Sequence, residues 1–94
     1  MLFAVYCVDK ADGGALRAAT RPTHLAYLES QASHLAFAGP LLAADGTTAI
    51  GSLLVVDYPD RAAVDAFAAG DPYAKAGLFA RVEITGWRQV YPKG

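Results

Sequence analysis

Two side chains in this sequence have the chemistry to move a proton between ordinary metabolites: His24 and Asp71. An imidazole beside a carboxylate makes a good general base. A free imidazole titrates near pH 6.5, and a neighbouring carboxylate fixes which ring nitrogen holds the proton. Asp71 lies in the stretch Gly70-Asp71-Pro72-Tyr73, which has a second reading. Glycine can end a helix, aspartate can cap the next turn, and proline is tolerated at a first helical position. Asp71 is therefore either a cap or the partner of His24 across a small pocket. His24 has its own alternative, a border histidine hydrogen-bonded to a loop.

Other groups could serve such a pair. Tyr73, Tyr6 and Ser52 could orient a substrate hydroxyl or carbonyl, and Trp87 or Phe37 could supply an apolar wall. Arg81 reads either as a carboxylate holder or as an edge-strand arginine near Glu83. His34 reads as a residue at a helix C-terminus, favoured by the dipole. Cys7, mid-strand among apolar residues, reads as a small buried hydrophobe. Two histidines ten apart and one cysteine give no metal-ligand spacing. Gly13-Gly14 is too short for a phosphate-binding loop. Cofactor-independent chemistry is the simpler expectation, with no metal.

The elements that must position these groups follow from patterning. Leu2 to Val8 is a continuous apolar run, expected as a strand buried on both faces. From Ala15 the composition turns helical, and Thr20-Arg21-Pro22 predicts a kink or a short helix leading into a longer one. Over Pro22 to Ser33, at about 100° per residue, Leu25, Leu28 and Ala32 share one narrow sector. His24 falls about 40–100° from them, a border position. Leu35 to Leu42 is a second strand that Pro40 confines to a sheet edge or a bulge. Ala44 to Thr47 is a turn, and Ile50 to Asp57 a third strand. Asp60 caps a second helix with Val64, Phe67 and Ala68 buried. Asp71 to Gly77 adds about two turns, and Phe79 to Val90 is the last strand.

Strand, helix, strand, strand, helix, strand in 94 residues predicts one α+β domain of ferredoxin-like type, with both helices on one face of an antiparallel sheet. The first and third strands, apolar on both sides, belong in the centre. Two helices cover only one face. Each large apolar side chain left on the other forfeits roughly 1.5–3 kcal/mol, in a domain stable by about 5–15 kcal/mol. Apolar residues make up 54% of the chain, above the usual 45–50% or so. A homodimer packed through the sheet face is therefore expected.

The net charge of -1, from 8 basic and 9 acidic residues without a basic patch, argues against nucleic acid as a partner. No signal peptide and no membrane-length apolar run is visible, so a cytoplasmic protein is the default.

Arg21-x-x-His24-Leu25-x-x-Leu28, Gly39-Pro40-Leu41, Gly51-Ser52 and Phe67-x-x-x-Asp71-Pro72-Tyr73-x-x-x-Gly77 together resemble the YciI-like (YCII-related) proteins. The resemblance runs from Leu2 to Val90, and Asp-Pro-Tyr at this distance from a helical histidine is its most specific piece. It implies a ferredoxin-like protomer in a dimeric α/β barrel, similar to muconolactone isomerases and small antibiotic-biosynthesis monooxygenases. It also implies a His–Asp site at His24 and Asp71; Tyr73, Ser52, Gly39, Pro40 and Tyr6 are the candidates to surround a small-molecule ligand. A related protein dehydrochlorinates a chlorinated hydroxyhydroquinone. Two functions are then in play: a small lyase or isomerase working on a cyclic or aromatic metabolite, or a non-catalytic binding or sensor module.

Overall fold

A computed structural model describes residues 1–93. Its order is β1 (Leu2–Asp9), α1 (Gly14–Ser30), a 3-10 turn (Ala32–His34), β2 (Leu35–Leu42), β3 (Ala49–Asp57), α2 (Arg61–Gly70), α3 (Pro72–Lys75) and β4 (Phe79–Gly86). The four strands form one antiparallel sheet in the order β2-β3-β1-β4. This is the ferredoxin-like arrangement, with β1 and β3 central and Pro40 on an edge strand.

Strand alternation decides what meets the helices. Phe3, Val5 and Cys7 are buried beneath them, opposite Val56, Leu54 and Ser52 of β3. Val64 and Phe67 of α2 and the ring of Tyr58 complete this core. Asp60 caps α2 as expected, its carboxylate accepting from the Ala63 N–H at 2.9 Å. Gly70 lies within α2 and serves a close approach rather than a left-handed stop. A Cβ there would stand 2.7 Å from the Tyr27 hydroxyl, which donates to the Phe67 carbonyl at 2.8 Å. In the β2–β3 loop, Asp45 binds Thr48 and Thr47. Those bonds, the Thr48 hydroxyl first, hold its carboxyl down to about 2.

Several expectations are corrected. α1 is a single helix that runs through Pro22 without a break. Pro22 and Ala18, whose carbonyl loses its partner, both face solvent, so the freed group stays hydrated. The buried face of α1 is not centred on Leu25, which is 46% exposed, but on Arg17 and His24. α3 is one turn rather than two, and β4 ends at Gly86 rather than Val90. His34 sits in the 3-10 turn, bonded through Nδ1 to the Asp57 carbonyl at 2.8 Å and stacked on Tyr58.

The other face of the sheet has no helix over it. Tyr6, Leu53 and Phe37 stand there with exposures of 39%, 41% and 56%. β4 contributes Arg81 and Glu83 to the same face, 3.6 Å apart, so its apolar part lies over β1, β3 and β2.

Candidate active site

α1 carries Arg17, Arg21, His24, Leu25 and Leu28 along one side, at spacings that repeat each turn or two. Opposite them, β2 offers Ala38, Gly39 and Pro40, and β3 offers Ala49, Ser52 and Leu54. Tyr73 of α3 closes the inner end. Together they enclose a cleft of about 260 Å³. A cavity of about 150 Å³ holds benzene, so this one has room for a single substituted ring.

Asp71 is held in place by the sequence around it. Pro72 starts α3, and Asp71 Oδ1 accepts from the Tyr73 backbone N–H at 2.9 Å. The same oxygen lies 2.8 Å from His24 Nδ1. Both readings of Asp71 therefore hold at once: it is the cap and it faces the histidine. Asp71 is 3% exposed and His24 7%. A carboxylate only accepts, so the neutral imidazole carries its proton on Nδ1 and keeps the Nε2 lone pair. The rings of His24 and Tyr73 stack with centroids 3.9 Å apart, which sets the imidazole plane.

An ion pair missed from the sequence supports this wall. Arg17 forks onto Asp9, Nε to Oδ2 at 2.7 Å and Nη2 to Oδ1 at 2.9 Å. Nη2 also donates to Ser52 Oγ at 3.0 Å, and the guanidinium lies 4.5 Å from the centroid of the Tyr73 ring. Burial works against the charge on Arg17, but the bonds and charge of Asp9 prevail and its pKa is raised. The signals were available. Asp9 continues the Phe3, Val5, Cys7 parity of β1, and Arg17 precedes His24 by two helical turns.

Ser52 accepts from Arg17, which leaves its own hydroxyl proton for a ligand. Tyr73 is 1% exposed and lines the cleft, and its hydroxyl lies within hydrogen-bonding reach of the Arg17 guanidinium, which leaves the hydroxyl's own proton for a ligand. Burial pushes its phenol up, against the pull of Arg17 and Arg21, so it remains a donor at neutral pH. The cleft thus presents one lone pair and several donors.

Of the residues expected around a ligand, Tyr73, Ser52, Gly39 and Pro40 line this cleft with His24. Asp71 stands behind His24. Tyr6 does not join them: its position in β1 puts it on the opposite face of the sheet. Phe37 is on that face too, and Trp87 lies beyond β4, so neither forms a wall. Arg81 pairs with Glu83 away from the cleft. Cys7 is buried, and burial, with the charges of Asp71 and Asp9, pushes its thiol up to about 12. Among the described residues, no group of three His, Cys, Asp or Glu side chains could hold a metal ion, and no helix is long and apolar enough to cross a membrane.

Comparison with known proteins gives this geometry a context. The model of the YCII-related domain matches residues 1–88. Protein YciI of Escherichia coli O6:H1 is 33% identical over 98 residues, covering 97% of this chain and 100% of that protein, and Protein YciI of Shigella flexneri matches equally. Among solved structures, the 5-chloro-2-hydroxyhydroquinone dehydrochlorinase TftG of Burkholderia phenoliruptrix AC1100, in complex with 2,5-dihydroxybenzoquinone, superposes with a TM-score of 0.90. It is 33% identical, with 96% of each chain covered. Rv0793 of Mycobacterium tuberculosis, 17% identical with a TM-score of 0.51 over 96% of each chain, shares the fold alone. Matched by the family model over nearly its whole length, the chain belongs to the YCII-related family.

Proposed function

We propose that this protein is a small enzyme using His24 and Asp71 for acid–base chemistry of the lyase or isomerase kind on a small cyclic metabolite. The observation that carries the reading is the 2.8 Å contact between His24 Nδ1 and Asp71 Oδ1 at the wall of a ring-sized cleft. His24 Nε2 takes a proton from the substrate. The electrons left behind collect on a substrate oxygen facing Ser52 and Tyr73, whose hydroxyls stabilise developing charge. Where the substrate is a chlorinated hydroquinone, the proton His24 takes from a ring hydroxyl is delivered to the chlorine-bearing carbon, a second hydroxyl proton passes to solvent, and chloride departs from that carbon as the anion, leaving a quinone. The chemistry requires only the chain's own residues.

The dehydrochlorinase relative supports the substrate class, so the test uses its named compound. Wild-type protein is expected to release chloride from 5-chloro-2-hydroxyhydroquinone, and His24→Ala to be slower by about 10²-fold or more. Absence of release, or equal release by the variant, contradicts the reading. Binding of an intact ring compound recovered unchanged then favours a binding module instead.

The protein is further proposed to work as a two-fold homodimer through the open sheet face. Tyr6, Leu53 and Phe37 give that face its apolar character, and the Arg81–Glu83 pair gives it a polar border. Sedimentation at micromolar concentration is expected to show a dimer; a monodisperse monomer overturns this.

A further inference from the structure

Two guanidinium groups line the cleft and, among the described residues, no carboxylate does. Asp9 and Asp71 both lie behind the wall. The two arginines are not equivalent. Arg17 is buried and its charge is matched by the fork onto Asp9. Arg21, one turn further along α1, is exposed and has no ion-pair or hydrogen-bond partner among the described residues. A solvated surface arginine usually calls for no explanation. This one differs in place. It lies one turn before His24 on the concave side, and its charge reaches the Tyr73 phenol, which it pulls down against burial. That phenol belongs to a residue 1% exposed whose hydroxyl, reached by the Arg17 guanidinium, keeps its own proton to donate. An unpaired guanidinium and a hydroxyl with a proton to give therefore serve one small space.

Resting on the acid–base reading of the same cleft, we propose that the ligand enters as a small planar anion and that Arg21 selects it. A negative oxygen, carboxylate or acidic enol, lies between the Arg21 guanidinium and the Tyr73 hydroxyl, while the ring extends toward His24 Nε2. Arginine suits a planar oxyanion because its fork of N–H groups matches the two lone-pair directions. Arg21 is a specificity residue and takes no proton. Its charge also draws anions to a mouth whose floor is already neutral.

The experiment compares benzoate with benzamide, close in shape and different in charge, by NMR titration at neutral pH. Wild-type protein is expected to bind benzoate about tenfold more tightly than benzamide, with a preference that shrinks as salt rises. Arg21→Gln removes the preference by weakening benzoate about tenfold more than benzamide, and Arg21→Lys retains part of it. Arg21 is exposed, so the variants fold as the wild type does. Equal binding of the two compounds, a preference that survives Arg21→Gln, or no binding of either overturns the proposal. His24→Ala keeps the two readings separate. It is expected to retain the benzoate preference while losing turnover, so acid–base chemistry can fail with anion selection intact, and the reverse.

Discussion

The imidazole of His24 and the phenol of Tyr73 lie face to face, centroids 3.9 Å apart and planes within 19°. Asp71 joins them from behind, one oxygen meeting the His24 ring nitrogen and the Tyr73 backbone N–H. The cap of α3 and the contact to the His24 ring are thereby made from a single carboxylate oxygen. The short α3 turn cannot shift without moving the histidine's partner.

Substitutions at Asp71 should separate the two roles. Asparagine is as good a cap as aspartate, so Asp71→Asn is expected to change stability by no more than about 1 kcal/mol. Its amide cannot hold an imidazolium, and chloride release should fall by about 10²-fold or more. Asp71→Ala loses the cap and strands the buried His24 N–H, about 2–4 kcal/mol together. Urea melts and turnover of both variants check this; a parallel loss in the two quantities contradicts it.

The Asp9–Arg17 fork is buried, with side-chain exposures of 5% and 10%. Removing one partner leaves an uncompensated charge, so Arg17→Met should cost about 3–5 kcal/mol. The double variant Asp9→Asn/Arg17→Met should be more stable than Arg17→Met alone. Denaturant midpoints of the wild type, Asp9→Asn, Arg17→Met and the double variant decide; additive single losses mean the two side chains are not a unit.

Cys7 carries a prediction in pH. With its thiol pushed up to about 12 by burial, almost no thiolate exists at pH 8, and iodoacetamide should modify it only on unfolding. The sign of the linkage follows. The reference thiol of the unfolded chain loses its proton near 9.0 while the folded one keeps it. Stability associated with Cys7 is then present below that value and falls as pH rises toward 12. A Cys7→Ala variant should show a shallower decline in that window.

Gly51 pairs with Val8 where the two central strands come close. A Cβ at this position would stand 2.3 Å from the Cys7 carbonyl oxygen, a backbone atom that cannot swing away. Gly51→Ala is expected to destabilise the sheet by more than 2 kcal/mol, near the upper end for a single substitution. A thermal midpoint within a degree of wild type would show that the strands separate freely.

Much of this was legible from residue chemistry. Pro40 marks an edge strand because it cannot donate to a ladder, and two-sided apolar runs mark β1 and β3 as central. Asp60 and Asp71 read correctly as caps. The stripe on α1 did not. Hydrophobicity put Leu25 inward, but the two-layer packing leaves it at the mouth of a cleft, and hydrogen bonds to Asp9, Ser52 and Asp71 make Arg17 and His24 the buried residues. Burial of charge depends on a partner distant in sequence, which periodicity does not register. Tyr6 was assigned to the ligand on residue type, while strand parity places it on the far face.

Nitrogen-15 NMR of the His24 ring, recorded where the imidazole is neutral, tests the central claim without a substrate. A protonated, pyrrole-like Nδ1 and a lone-pair, pyridine-like Nε2 are expected, with this preference weakened in Asp71→Asn. A proton on Nε2 in the wild-type protein would leave no base facing the cleft and would contradict it.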